Sequence, residues 1–172
     1  CLFSDSHLEI YQNLLSADPF SCNLEINDRI LGALYGSTVG DALGVPFEFM
    51  TRDQLQDSPV TGMRGHGTHN QPAGTWSDDT SLALCTISSL LDRDFDVEDI
   101  MSRFARWYDD AYLACHGKVF AIGNATKDAI SRFKEGKDKN EWGCKSDWQN
   151  GNGSLMRMLP VCLFTLSEME SF

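Results

Sequence analysis

Apolar residues recur at intervals of three and four positions along most of this 172-residue chain. Residues at this spacing share one face of an α-helix, and few segments show the strict alternation of a half-buried strand. The pattern therefore predicts an all-α fold, a compact multi-helix domain over residues 1–172. The predicted helices are Asn27–Leu43, Asp78–Leu91, Val97–Tyr112, Asn124–Phe133 and Ser154–Glu168.

The first predicted helix carries four glycines spaced four residues apart, at Gly32, Gly36, Gly40 and Gly44. Each glycine inside a helix costs up to about 1 kcal/mol relative to alanine, so the stripe needs a reason. We expect close helix packing at Gly32 and Gly36, and room for a ligand at Gly40 and Gly44 beside Asp41. Because Pro46 follows, Gly44 is also predicted to end the helix as a left-handed cap.

Two polar segments lack a clear period, Arg52–Gly74 and Lys134–Asn152, and both are predicted to be loops. Long loops within compact domains often carry function.

The formal net charge of −11 argues against direct binding of nucleic acid or an acidic membrane surface, since both require a basic face. None of the six cysteines forms a CxxC pair, and Cys85 and Cys162 lie in apolar segments where thiols pack as small hydrophobic groups. We expect reduced thiols and an intracellular, cytoplasmic protein. No signal peptide is recognisable, and the longest apolar run, Met158–Leu166, is too short to span a membrane.

The acidic segment Ser77-Asp78-Asp79-Thr80 lies directly before a predicted buried helix. One interpretation is a helix N-cap followed by acidic residues in the first turn, which is a common helix-start pattern. The other is a site for a hard cation, because Mg²⁺ and Ca²⁺ take oxygen ligands and a hydroxyl beside two carboxylates supplies three. The pattern alone leaves both interpretations open.

Glu48 follows the end of the first predicted helix and is flanked by Phe47 and Phe49. It is either an ordinary surface glutamate or a proton-transfer residue. Apolar neighbours and a helix C-terminus both disfavour a charged carboxylate, which suits proton transfer. Asp41, on the preceding helix, is expected to cap or brace the adjacent loop.

The segment Gly151-Asn152-Gly153-Ser154 precedes the last predicted helix. It is either a turn with Ser154 as the N-cap, or a cradle whose amides and helix N-terminus face a phosphate. Gly123-Asn124 is a weaker copy of this pattern, and Arg157 either joins the cradle or faces solvent. His66 and His69 form an HxxH pair, but no further ligand has suitable spacing, so no metal is assigned to them.

Three motifs occur in a fixed order: GDALGVPFE over Gly40–Glu48, TWSDDT over Thr75–Thr80, and GNGSLMR over Gly151–Arg157. Together they resemble the N-terminal half of the ADP-ribosylglycohydrolase family, and the likeness runs from about Arg29 to Pro160. The resemblance implies an all-α fold, a pair of magnesium ions, and release of ADP-ribose from modified proteins or small molecules. It does not distinguish arginine, serine or small-molecule linkages.

The resemblance also implies roles for individual residues. Ser77, Asp78 and Asp79 correspond to a metal-ligand triplet, and Glu48 to a glutamate that faces the substrate ribose. Glu48, Asp78 and Asp79 are therefore the candidate catalytic residues. The candidate ADP-ribose-binding residues are Gly123, Asn152, Gly153 and Ser154. Trp148, Gln149 and Asn150 are further candidates for contact with the pyrophosphate.

Members of the family carry a second acidic cluster, of the DxDT kind, in their C-terminal half, and no segment here matches it. We therefore interpret the sequence as part of a longer protein, with an incomplete metal site and little activity of its own. The alternatives are a non-catalytic ADP-ribose-binding protein, a crystallin-like structural relative, or an inactive fragment.

Overall fold

A computed structural model describes residues 24–146 and 151–170, and within these ranges the chain is helical. The helices are α1 Leu24–Gly44, α2 Arg52–Asp57, α3 Asp78–Arg93, α4 Val97–Asp110, α5 Asn124–Lys134, α6 Lys139–Trp142 and α7 Met158–Glu170. In the described ranges the extended pairing amounts to an isolated antiparallel bridge between His66 and Gln71. The predicted all-α fold is confirmed. None of the described helices is long and apolar enough to cross a membrane.

Helix α3 lies at the centre of the fold and packs against α1, α4 and α7. It is buried over most of its circumference, and Leu82 and Cys85 are fully enclosed. Two of its buried hydroxyl groups are satisfied inside the helix, since Ser81 donates to the Ser77 carbonyl at 2.9 Å and Thr86 donates to the Leu82 carbonyl at 2.9 Å. A helix enclosed in this way gives its N-terminus a fixed position.

Helix α4 contributes a strongly amphipathic face to the same core. Asp96 caps it by accepting hydrogen bonds from the amides of Glu98 and Asp99, at 2.9 Å and 3.1 Å. Its buried residues are Ile100, Met101, Phe104 and Trp107. Burying side chains of this size contributes about 1.5–3 kcal/mol each, so this face fixes α4 against α3.

The segment Arg52–Gly74 was predicted to be a loop, and that prediction is wrong at its beginning, where α2 forms. Thr51 accepts from the Gln54 amide at 3.3 Å, and the Gln54 side chain accepts from the Thr51 amide at 2.8 Å. This reciprocal capping box stabilises a helix too short and too exposed to show an apolar period. Likewise α6 interrupts the predicted loop Lys134–Asn152, with Trp142 buried.

Two predictions about glycines and one about a cysteine need correction. Gly44 ends α1 as predicted, but with φ −75° and ψ −33° it is right-handed, because the chain continues directly into the 3-10 turn Val45–Phe47. Gly32 and Gly36 are exposed, and no described atom lies within 4 Å of a Cβ placed on either, so the predicted close packing is not found. Cys85 is buried, whereas Cys162 is exposed because the described helices leave its side of α7 uncovered.

Candidate active site

The end of α1, the start of α3, the start of α5 and the turn at residues 151–153 surround one cleft of about 850 Å³. It brings together four segments that the sequence singled out, although the first and the last lie more than 100 residues apart. The cleft residues from these segments are Gly40, Asp41, Gly44, Glu48, Ser77, Asp78, Asp79, Gly123, Asn152 and Gly153. The glycines Gly40 and Gly44 thus lie where room for a ligand was predicted.

Ser77 is the N-cap of α3, as one of the two interpretations held. Its hydroxyl oxygen accepts from the Asp79 amide at 3.3 Å and donates to Asp41 Oδ1 at 2.7 Å. The capping geometry does not displace the carboxylates from the cleft, because Asp78 and Asp79 both contribute to its wall. The cap and a cation-binding role are therefore compatible in this arrangement.

Asp41 braces this helix start from α1. Its carboxylate accepts from the Ser77 and Thr80 amides, each at 3.0 Å to Oδ2, and from the Thr80 hydroxyl at 2.7 Å. The sequence predicted a bracing role for Asp41, but towards its own loop rather than towards a helix that begins 37 residues later. The short polar side chain could not reveal this long-range partner.

The two carboxylates at the start of α3, those of Asp78 and Asp79, have raised pKa values. Burial and the charge of Asp79 raise the pKa of Asp78 to about 7. Burial, with the charges of Asp41 and Glu48, raises the pKa of Asp79 to about 6. Among the described residues neither carboxylate forms a salt bridge.

A hard divalent cation fits this donor set in part. The Ser77 hydroxyl and the carboxylates of Asp78 and Asp79 are oxygen ligands of the kind that Mg²⁺ takes, and a cation would relieve the repulsion between the carboxylates. However, the described residues contain no group of three or more His, Cys, Asp or Glu side chains arranged to hold a metal. The described residues would therefore supply at most one side of the coordination shell of such a cation.

Glu48 occupies the corner of a tight turn on the cleft wall. The Met50 amide donates to the Phe47 carbonyl at 3.0 Å, Glu48 has φ −54° and ψ 138°, and Phe49 has φ 65°. These are the features of a type II β-turn, with phenylalanine at a position that normally requires glycine. Phe47 is buried, whereas Phe49 is 82% exposed, so the two flanking rings do not enclose Glu48 from both sides.

The segment after α2 holds Glu48 from outside the cleft. Gly67, at φ 64°, lies so close to Pro46 that a Cβ would come within 2.0 Å of its carbonyl oxygen. The Thr68 hydroxyl donates to the Glu48 carbonyl at 2.6 Å, and His69 Nε2 contacts Glu48 Oε2. From the sequence, His69 is recognisable only as part of an HxxH pair, to which no metal is assigned. No local pattern reveals its pairing with a residue 21 positions earlier.

The start of α5 and the turn at residues 151–153 form another part of the cleft wall. Gly123 precedes α5 without a side-chain cap, so the first amides of the helix lack internal partners and are suited to an anion. Gly153 packs against Thr126, whose hydroxyl would lie 2.7 Å from a Cβ at that position. Gly123, Asn124, Ala125 and Thr126 line the cleft with Gly151, Asn152 and Gly153.

Two predictions about the GNGSLMR segment are corrected by the structure. Residues Asn152–Ser154 form a 3-10 turn and α7 begins only at Met158, so Ser154 is not the N-cap of that helix. Ser154 is exposed and is not among the residues that line the cleft. Helix α7 begins later than predicted because of Pro160, since proline is tolerated in the first turn of a helix but not further inside. Trp148, Gln149 and Asn150 lie outside the described residues.

Arg157 does not join the turn at residues 151–153. Its guanidinium lies 5.0 Å from the centroid of the Phe104 ring, and Nη1 is buried without a hydrogen-bond partner among the described residues. Burial lowers the pKa of this guanidinium, and the charge of Asp78 offsets part of that effect. Arg157 is thus a buried cation on the core side of the site.

Comparison with known proteins identifies the family of this arrangement. The family model described as ADP-ribosylglycohydrolase matches residues 23–171. The chain belongs to the ADP-ribosylglycohydrolase family. It is 36% identical over 141 residues to ADP-ribosylarginine hydrolase Tri1 of Pseudomonas putida (strain GB-1), an alignment covering 80% of this chain and 36% of that protein.

Two further members of the family support the assignment. The chain is 35% identical over 145 residues to the ADP-ribosyl-[dinitrogen reductase] glycohydrolase of Rhodospirillum rubrum, covering 82% of this chain and 46% of that protein. A solved structure, described as an ADP-ribosylglycohydrolase-related protein complex, matches with a TM-score of 0.64 and 36% identity. That match covers 83% of this chain and 47% of the solved one. The chain thus spans less than half the length of these relatives.

Proposed function

We propose that the protein containing this chain hydrolyses the glycosidic bond that links ADP-ribose to a modified protein or small molecule, in a magnesium-dependent reaction. The observation that carries the proposal is the cleft whose lining combines Glu48, Asp78 and Asp79 with the start of α5. Its volume of about 850 Å³ is within the range of small-molecule sites. The names of the relatives make an arginine-linked substrate the first to test.

The two walls suit different parts of ADP-ribose. The uncapped start of α5 and the turn at residues 151–153 offer backbone amides to the pyrophosphate, which an acidic chain with a net charge of −11 does not otherwise attract. The carboxylate wall of Glu48, Asp78 and Asp79 then lies towards the ribose. This orientation places the anomeric carbon near the groups that handle protons.

The reaction requires water to bond to the anomeric carbon while the bond to the leaving nitrogen or oxygen breaks. The transition state resembles an oxocarbenium ion and is stabilised by nearby negative charge. Glu48 accepts a proton from the attacking water and then gives it up through solvent to the leaving atom, which restores the carboxylate. Magnesium held by Asp78, Asp79 and the Ser77 hydroxyl would orient the ribose hydroxyls and polarise bound water.

The decisive experiment measures release of ADP-ribose from arginine-, serine- and small-molecule-linked substrates by the full-length protein, with Mg²⁺ and with a chelator. We expect Mg²⁺-dependent turnover that Glu48→Gln lowers at least a hundredfold while ADP-ribose binding is retained. Binding of ADP-ribose without turnover on any linkage would contradict hydrolysis and establish a binding protein.

A further inference from the structure

His69 and Glu48 form a side-chain pair that the proposed reaction does not explain. His69 Nε2 meets Glu48 Oε2, and the side chain of His69 is 17% exposed compared with 39% for Glu48. The imidazole also packs near two aromatic rings, with centroid distances of 5.3 Å to Phe120 and 6.3 Å to Phe49. The histidine is thus fixed by packing, while the carboxylate it contacts borders the cleft.

We propose that His69 is a positioning residue that holds the Glu48 carboxylate in the orientation required for proton transfer. This inference rests on the proposed function, since it assigns His69 a role through Glu48. Among the described residues, the Glu48 side chain has one hydrogen-bond partner, which is His69. Loss of that bond frees the carboxylate without removing any other contact of its oxygens.

The backbone of Glu48 is held independently of His69. The type II turn is closed by the Met50 amide, and the Thr68 hydroxyl binds the Glu48 carbonyl at 2.6 Å. Gly67 packs against Pro46 on the same side. Removal of the imidazole N–H group should therefore release the side chain alone.

Repulsion between the carboxylates in the cleft explains why the Glu48 side chain needs this restraint. Glu48 shares the cleft with Asp41, Asp78 and Asp79, and electrostatic repulsion favours movement of its flexible side chain towards solvent. An N–H donor at Oε2 opposes that movement. Misplacement of a catalytic group by about 1 Å can lower a rate by about a hundredfold.

Two substitutions in the full-length protein separate the hydrogen bond from the packing. His69→Phe keeps a ring against Phe120 but has no donor, and His69→Gln keeps a donor but has no ring. We expect His69→Phe to lower kcat at least tenfold with KM changed less than threefold, and His69→Gln to retain most of the kcat. The opposite ranking would assign the effect to ring packing and overturn the proposal.

A control and a double variant complete the test. His66→Ala loosens the same segment, since His66 Nδ1 lies 2.9 Å from Asn70 Oδ1 without contact to Glu48, and it should leave kcat within twofold of wild type. In a Glu48→Gln background, His69→Phe should cause no further loss. A loss with His66→Ala equal to that with His69→Phe, or full additivity with Glu48→Gln, would overturn the positioning role.

The positioning role of His69 can still be tested if the proposed function is wrong. If the wild-type protein releases no ADP-ribose, the proposed reaction is wrong, and crystal structures of the wild type and His69→Phe then decide the inference. A Glu48 carboxylate displaced from its wild-type position supports the restraint by His69. A carboxylate that stays in place overturns it.

Discussion

Asp41 Oδ1 accepts a 2.7 Å hydrogen bond from Ser77 Oγ and so joins the end of α1 to the first residue of the acidic triplet. The Asp41 carboxylate also binds the Ser77 amide, the Thr80 amide and the Thr80 hydroxyl. Four donors on one side chain fix the start of α3 relative to the glycines that open the cleft. The Asp41 carboxylate therefore fixes the positions of Asp78 and Asp79 at the start of α3.

Asp41→Asn should destabilise the protein and weaken cation binding together. An asparagine amide presents an N–H₂ group where the carboxylate had an acceptor, so at least one donor of Ser77 or Thr80 loses its partner. An unsatisfied group of this kind costs about 1–3 kcal/mol in the free energy of unfolding. Urea denaturation measures that cost, and the exposed Asp57→Asn in α2 is the matched control. Equal stability of the two variants would show that the brace is dispensable.

The sequence predicts the long helices and several of the cleft residues because both depend on local pattern. Apolar spacing defines α3, α4 and α5 to within three residues at each end. The contributions of Gly40, Asp78, Gly123 and Gly153 to the cleft follow from motifs that are contiguous in the chain. Family resemblance then indicates that these motifs converge.

The sequence does not reveal the contacts that hold the site together. The pairs Asp41 with Ser77 and His69 with Glu48 join residues 36 and 21 positions apart, and neither pair has a spacing pattern. Helix α2 was missed because it is only six residues long and has no buried residue, so it shows no apolar period. Ser154 was misassigned because a 3-10 turn and an α-helix can begin with the same small polar residues.

Asp78→Asn combined with Asp79→Asn should abolish Mg²⁺ binding by the full-length protein. Carboxylate count governs affinity for hard cations, and the amides that replace them carry no charge. Isothermal titration calorimetry with MgCl₂ measures the loss, with Asp57→Asn as the control. Unchanged affinity in the double variant would reduce the triplet to a helix cap.

The same two residues give the metal-free protein an unusual dependence of stability on pH. Their folded-state pKa values, about 7 for Asp78 and about 6 for Asp79, lie above the ordinary 3.8, so the folded state binds more protons than the unfolded state between those limits. Their contribution to stability is present below about pH 3.8 and is lost as pH rises through about 7.

With a chelator present, Asp78→Asn with Asp79→Asn should therefore melt at a higher temperature than wild type at pH 8, and this advantage should shrink as pH falls below 6. Mg²⁺ affinity should change in the opposite direction, increasing from pH 5 to pH 8 because protons compete with the cation for the carboxylates. Melting curves and calorimetry across this range provide the measurement. A wild-type advantage at pH 8 without metal would contradict the raised pKa values.

Gly153→Ala should weaken ADP-ribose binding more than Gly151→Ala does. The new Cβ at residue 153 would lie 2.7 Å from Thr126 Oγ1, so either the Thr126 side chain or the turn must shift. At Gly151 no described atom lies within 4 Å of the new Cβ. Overpacking of this kind costs about 1–3 kcal/mol, which corresponds to roughly fivefold to 150-fold in affinity. Equal losses of ADP-ribose affinity in the two alanine variants would show that the close contact between residue 153 and Thr126 is not the cause. Independently of these variants, ADP-ribose should bind more tightly than AMP.

The 172-residue chain expressed alone should release ADP-ribose at least a hundredfold more slowly than the full-length protein. The reason is ligand count, since the described residues contain no group of three or more metal-ligating His, Cys, Asp or Glu side chains. With only Ser77, Asp78 and Asp79 on one side, water fills the remaining coordination positions, and a loosely held cation neither orients a ribose nor stabilises developing charge well. Parallel assays of both proteins at saturating Mg²⁺, together with calorimetry, separate lost binding from lost turnover. Full turnover by the shorter chain would show that its own residues complete the site.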